Sequence, residues 1–226
     1  MIARPSPNFN ARKLPISMVV LHYTGMESAE AALARLEDPE AEVSAHYVVL
    51  EDGQIISMVD EAHRAWHAGR AYWRGISDIN SASIGIEIVN PGHEFGYRPF
   101  PDAQIDAVVR LVGDIVPRHG ITRGNVVGHS DVAPARKEDP GELFPWYRLA
   151  RLRLALPRPA KNLMDPLWGD AGFLLALERF GYDITDGPAA VRAFQRRFRP
   201  ELIDGIIDGE CRAILLALLL PKPMGD

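Results

Sequence analysis

The stretch NVVGHSDVAPARKEDPG, residues 125–141, decides how the rest of the chain is read. Asn125-Val126-Val127-Gly128 is a short apolar run of the kind that makes a buried strand, and the polar loop after it holds His129, Lys137 and Asp139. His129 and Asp139 stand too far apart in sequence for one helical turn. The turn formers Asp131, Pro134, Pro140 and Gly141 let the loop fold back so that the two side chains meet. An imidazole and a carboxylate suit zinc, which takes nitrogen and oxygen ligands at about 2.0–2.2 Å and, at catalytic sites, keeps three protein ligands and one open position. A third ligand must come from elsewhere in the chain.

Residues 16–21, ISMVVL, predict a strand buried on both faces that ends in His22-Tyr23-Thr24-Gly25 and so puts His22 at a strand end. Ser28 caps a short helix through Leu36, stopped by Pro39. Residues 43–50 and 55–59 flank the turn Glu51-Asp52-Gly53-Gln54 as a hairpin. Residues 65–75 form an aromatic loop in which Trp66 and Trp73 either offer faces to a sugar or peptide or plug the core edge. Residues 84–89, IGIEIV, read as a buried strand interrupted by Glu87. Alternation sets Ile84, Ile86 and Ile88 on one face and Gly85, Glu87 and Val89 on the other, small and concave one. A glutamate is almost never buried unless paired or functional, which makes Glu87 an active-site candidate.

The i, i+3, i+4, i+7 spacing of Ile105, Val108, Val109, Val112, Ile115 and Val116 predicts one long amphipathic helix closed by His119-Gly120. A helix around residues 146–154 ends at Pro157-Arg158-Pro159, a stiff linker and domain boundary. Beyond it residues 169–180, 188–198 and 208–219 predict three short helices, with Val191, Phe194 and Phe198 as a core stripe. Arg192, Arg196 and Arg199 align at helical spacing, the usual pattern of a solvated face or, less commonly, of contact with an acidic polymer.

A length of 226 residues allows one full domain and a small module, and a net charge of −5 argues against nucleic acid as a partner. The lone Cys211 excludes an internal disulfide and a thiolate-rich metal cluster. No apolar run approaches the roughly 18 residues of a membrane-spanning helix. The opening MIARPSPNFNARKLP lacks the apolar core of an export signal, so the cytoplasm is expected, and the periplasm or envelope if a leader has been removed.

Five stretches together resemble the zinc-dependent N-acetylmuramoyl-L-alanine amidases of type 2, the AmpD-like and AmiD-like enzymes. They are VVLHYTG (19–25), SAHYVV (44–49), AWHAG (65–69), SIGIEIVN (83–90) and GHSDVAPARKEDPG (128–141). The resemblance implies an α/β fold, a central mixed β-sheet flanked by helices, over residues 1–156. A linker at 157–162 and a small three-helix domain at 163–226 follow. There AVRAFQRRFRP and DGIIDGECRAIL resemble peptidoglycan-binding domains, although Gly209-Glu210-Cys211 departs from their usual small-residue and threonine pattern.

By the same resemblance the third ligand is His22, giving a zinc set of His22, His129 and Asp139. Glu87 is the implied general base and Lys137 the stabiliser of the oxyanion. Tyr23, Thr24, Trp66, His67, Ala68 and Arg136 are implied substrate contacts. The implied substrate is peptidoglycan or a muropeptide, cut between the lactyl group of N-acetylmuramic acid and L-alanine. Some relatives carry a tyrosine before the hairpin histidine; here Ala45 stands there and leaves Glu87 without a substitute. The residues agree, because the strand ending at His22 can neighbour the strand before His129. His46 reads as a core residue, and His63, His93 and His119 as surface residues. A non-catalytic peptidoglycan-recognition module of the same fold is the competing reading; such modules typically lose a zinc ligand, and this chain keeps all three. Hydrolysis of non-muramyl amides would fit the same centre and differ only in the groove.

Overall fold

A computed structural model describes residues 1–159 and 164–220. Half of the expected linker, residues 160–162, and the chain end at 221–226 lie outside the described residues. The strands are β1 (Ile2–Ala3), β2 (Phe9–Ala11), β3 (Met18–Tyr23), β4 (Tyr47–Val49), β5 (Ile55–Ser57), β6 (His63–Ala65), β7 (Ser83–Ile88) and β8 (Val126–Gly128). The helices are α1 (Ala29–Glu37), α2 (Ile79–Ala82), α3 (Gly92–Phe95), α4 (Asp102–His119), α5 (His129–Val132), α6 (Trp146–Arg151), α7 (Asp170–Phe180), α8 (Gly187–Phe198) and α9 (Gly209–Leu219).

Six strands form one mixed sheet in the order β1-β5-β4-β7-β3-β8, and β2 pairs with β6 in a separate two-stranded ribbon. β4 and β5 are the expected antiparallel hairpin, while β7, β3 and β8 run parallel. The N-terminal arm, to which the sequence reading assigns no strand, adds β1 parallel to β5. Two residues are too few for period-two alternation to show.

The two sheet faces do different work. Val19 and Leu21 of β3 and Ile84, Ile86 and Ile88 of β7 pack with Ile105, Val108, Leu111, Val112 and Ile115 of α4. Each such aliphatic side chain contributes about 1.5–3 kcal/mol when fully buried, more than the intrinsic preferences of the helix can supply. Helix α4 ends as expected on Gly120, whose left-handed φ of 62° lets its N–H cap the last turn. The opposite face carries Met18, Val20, His22, Gly85, Glu87 and Val127. Part of it is closed by α1, through Leu33 and Leu36 against Val48, Ile56 and Val89. Another part is closed by α7–α9: Phe173, Phe180, Tyr182, Val191 and Phe194 join Met18, Val20, Trp73, Val127 and Val132 in one continuous core. Between these two covers the polar residues of β3 and β7 remain open.

Arg196 and Arg199, expected on a solvated face, are buried, and Arg192 alone of the three is exposed. Arg199 pairs with Asp204 and Asp208 inside the bundle, and Arg196 reaches Glu138 in the loop after β8. Helical spacing reports which residues share a face. It does not report that acidic residues distant in sequence meet that face.

Candidate active site

His22 sits on β3 in register with Glu87 on β7, and the parallel pairing of β3 with β8 delivers His129 beside it as the first residue of α5. The loop after α5 does fold back: the Ser130 N–H donates to the Asp139 carbonyl at 2.8 Å and the Lys137 N–H to that of Ala133 at 3.1 Å. Three buried donor atoms thereby converge. His22 Nδ1 lies 2.9 Å from His129 Nδ1, and Asp139 Oδ2 lies 3.1 Å from the first and 3.0 Å from the second.

The proton positions behind this triangle follow from its hydrogen bonds. The Ser83 hydroxyl donates its one proton to the Ile79 carbonyl at 2.6 Å, so toward His67 Nε2, 3.1 Å away, it acts as acceptor. His67 then carries its proton on Nε2, and its Nδ1 accepts from the His22 Nε2–H at 3.0 Å. His22 is left with a bare Nδ1 facing the triangle. On the other side the Ala68 carbonyl can only accept, so His129 Nε2, 3.1 Å away, carries the proton and its Nδ1 is bare too. Burial first, and then His129 beside it, hold the His22 pKa at about 4, so the ring is neutral at pH 7. Burial pushes Asp139 upward, but the two neighbouring imidazoles outweigh it, and the carboxylate is ionised, below its ordinary range. Two bare nitrogens and a carboxylate oxygen within mutual reach need a cation between them. Tetrahedral zinc would set such atoms about 3.3 Å apart, a few tenths of an ångström wider than they stand. The donor set therefore fits zinc, and the hydrogen-bonded backs of both histidines are what a metal-ligating imidazole requires.

Gly85 explains how His67 fits. A β-carbon at that position would collide with the His67 ring, 2.7 Å from Nδ1 and nearer still to its carbons. The histidine ring packs against the bare backbone of Gly85. His46 is a core residue, as expected, its Nδ1 accepting the Gly85 N–H at 2.9 Å.

The triangle opens into a cleft of about 450 Å³ lined by Tyr23, Thr24, Trp66, His67, Glu87, Arg136 and Lys137 among others. Glu87 is half-buried, and its Oε2 has no hydrogen-bond partner among the described residues. Burial, then the charge of Asp139, push its pKa well above the usual carboxylate range against the pull of Lys137. The two tryptophans divide the two readings between them: Trp66 lines the cleft and Trp73 is core. Thr24 ties the ends of β3 and β7 by accepting from the Asn90 N–H and donating to the Asn90 carbonyl. Ala68 is fully buried and off the cleft; its carbonyl receives His129 and Arg136. Arg136 commits its guanidinium to the carbonyls of Ala68 and Arg70.

His93, read as a surface residue, stands at the cleft rim between the Tyr23 hydroxyl, 2.9 Å from its Nδ1, and Glu142, 3.1 Å from its Nε2. Nothing in its local sequence signals partners so far away. His119, also read as surface, is half-buried at the C-terminus of α4, its Nε2 2.6 Å from Glu61. No helix among the described residues is long and apolar enough to cross a membrane.

A sheet face with a two-histidine, one-carboxylate centre and an unpartnered glutamate oxygen in the same cleft has the make-up of a hydrolase site able to hold a divalent metal. The profile of the N-acetylmuramoyl-L-alanine amidases matches residues 12–142, more than half of the chain, and the chain belongs to that family. It is 38% identical over 230 residues to the N-acetylmuramoyl-L-alanine amidase AmiD of Escherichia coli, a match spanning 90% of this chain and 82% of AmiD. The solved complex of AmiD with anhydro-N-acetylmuramic acid-L-Ala-D-γ-Glu-L-Lys superposes with a TM-score of 0.82 at 36% identity, over 93% of this chain and 91% of that one. AmpDh3 of Pseudomonas aeruginosa, solved with an anhydromuramic pentapeptide, gives a TM-score of 0.78 at 30% identity over 96% and 97% of the two chains. The membership also decides between enzyme and recognition module in favour of the enzyme.

Proposed function

We propose that the protein hydrolyses the amide between the lactyl group of N-acetylmuramic acid and L-alanine, with zinc held by His22 Nδ1, His129 Nδ1 and Asp139 Oδ2. The observation that carries the reading is the unpartnered Oε2 of Glu87 beside the ligand triangle. A purely structural glutamate would be paired or solvated, and a binding module has no use for an acid that lines the cleft with a buried, unpartnered oxygen. Zinc, when bound, supplies the positive charge that polarises an amide carbonyl and acidifies water. Glu87 takes the proton of the attacking water and passes it to the departing L-alanine amine; its raised pKa suits both halves of that task. Lys137 lends its ammonium to the oxyanion of the tetrahedral intermediate. His67 sets the proton position on His22, and Trp66 offers a flat face to the sugar or peptide.

Both superposed relatives hold anhydro-muropeptides, which supports a soluble anhydro-muropeptide as a substrate here. The three C-terminal helices, from 163 onward, are the part proposed to hold intact wall. The test is Glu87→Gln with zinc content and muropeptide binding measured beside turnover. General-base catalysis contributes about 10²–10⁴ in rate, so turnover should fall within that range while zinc and binding persist. Near-normal turnover in the variant refutes the role of Glu87. Mass spectrometry of sacculi and of anhydro-muropeptides after digestion, each scored for released stem peptide, fixes the preferred substrate, and release from neither refutes the reaction.

A further inference from the structure

The loop that bears His129 and Asp139 is gripped from behind by the C-terminal helices. Asp131, two residues after His129 and fully buried, uses Oδ2 to accept the Gly128 N–H at 2.8 Å and thereby shapes the entry into α5. Its other oxygen accepts the Tyr182 hydroxyl at 2.5 Å, and the buried Arg197 of α8 stands 3.8 Å from the same carboxylate. Arg197 is in turn seated on the Trp146 ring, with its guanidinium carbon 3.3 Å from the centroid. At the other end of the loop Arg196 of α8 reaches Glu138 at 2.9 Å and lies 3.8 Å from Glu142, the two carboxylates that flank Asp139. Val132 and Ala133, between the two ligands, belong to the same apolar core as Phe180, Tyr182, Val191 and Phe194.

A peptidoglycan-holding module on a proline linker needs none of these contacts, because separate domains exchange few and polar ones. Here a buried carboxylate of the ligand loop takes its partners from the module, and the module's own core is completed by loop side chains. On the reading that His22, His129 and Asp139 hold zinc, we infer that the C-terminal helical unit is a positioning element of the metal centre, acting through Tyr182, Arg196 and Arg197 on the loop from Gly128 to Glu142. Wall attachment, if the unit also provides it, is a second use of the same helices.

The mechanism of the effect is preorganisation. Zinc affinity depends on how far the three donors stand from their bound geometry before the metal arrives, and the residues that orient ligands from behind typically change metal affinity about 10–100-fold when removed. Tyr182→Phe removes one hydroxyl and keeps the ring in its core. It should weaken zinc binding about 10-fold, the lower end of that range, because Tyr182 acts one residue removed from a ligand. Arg196→Gln takes away the charge facing Glu138 and Glu142 and should weaken zinc by a similar factor, with Arg196→Lys recovering part of it.

The experiment is a zinc dissociation constant for the full chain and these variants, measured by competition with a chromophoric chelator, beside the thermal midpoint of each metal-free protein and co-sedimentation with sacculi. Weaker zinc binding with sacculus binding unchanged supports the inference. Zinc binding equal to wild type in folded Tyr182→Phe and folded Arg196→Gln overturns it, whatever happens to the midpoint, since a merely structural role moves the midpoint and not the affinity. Should Tyr182→Phe not fold, Arg196→Gln and its lysine rescue decide alone. A wild-type chain that binds no zinc would refute the proposed function itself, a result distinct from equal binding in wild type and variants.

Discussion

Ser83→Ala tests whether the proton order of the proposed metal ligands is set three residues deep. Ser83 and His67 are both buried, and the serine hydroxyl is the acceptor that lets His67 keep its proton on Nε2. Deleting the hydroxyl leaves two outcomes. Either His67 retains its tautomer and its buried N–H loses its acceptor, which costs about 1–3 kcal/mol; or the proton moves to His67 Nδ1, which then cannot accept from His22 Nε2 at 3.0 Å. In the second case His22 either loses its partner or moves its own proton to Nδ1, the atom that faces His129 and Asp139. The first outcome lowers the stability of the fold and leaves the proposed ligands as they were; the second, which the relay requires, withdraws the bare Nδ1, and about 1.4–2.7 kcal/mol corresponds to a loss of roughly 10–100-fold in zinc affinity. The assay pairs a competition dissociation constant with proton–nitrogen correlation spectra of the histidine rings, which read the His22 tautomer directly. Wild-type affinity together with an unchanged His22 tautomer in folded Ser83→Ala would refute the relay.

The raised pKa of Glu87 has a consequence for metal-free protein. A carboxyl with a folded pKa above its ordinary 4.5 stabilises the fold below that pH and loses the contribution as pH rises toward the folded value, so metal-free Glu87→Gln should match wild type in acid and become the more stable of the two toward neutral pH, as denaturant melts across pH will show. Gly85→Ala drives a methyl into the His67 ring; overpacking of this kind typically costs about 1–3 kcal/mol, and here zinc affinity should fall with it, which calorimetry and the chelator assay check together. Removing the metal with a strong chelator should abolish turnover and leave the circular dichroism spectrum of the sheet nearly unchanged, because the apolar contacts between the sheet and α4 involve no ligand; Asp139→Ala should purify with substoichiometric zinc, and full occupancy would remove Asp139 from the ligand set.

Much of the active face was readable from short runs. The apolar stretches before His22 and His129 had the composition of buried parallel strands, and they are neighbours in the sheet. The alternation around Glu87 placed it correctly on the concave face, because period two survives in a six-residue strand. What stayed hidden depends on distance in sequence. The relay from Ser83 through His67 to His22 joins three segments, none of which carries a local sign of the others. Arg196 and Arg199 looked like solvent-facing charges because a helical pattern cannot see Glu138, or Asp204 and Asp208, coming to meet them. His93 lacked any signal for the same reason. Residues 2–3 gave too short a run to be seen as an edge strand.

His22 and Glu87 are cross-strand partners on adjacent parallel strands. The gap between the proposed metal ligand and the proposed base is thus a property of the sheet, about 4.8 Å from strand to strand and held by the backbone ladder. His129 opens α5, Asp139 and Lys137 arrive on the loop after it, Trp66 on another loop and His93 on α3, all outside the sheet, in connections where insertions and exchanges are tolerated. The sheet serves as a ruler for the reaction while the loops serve as a mould for the substrate. Descendants of this chain can therefore be recast toward other stem peptides by rewriting the mould, without recalibrating the distance over which the proton travels.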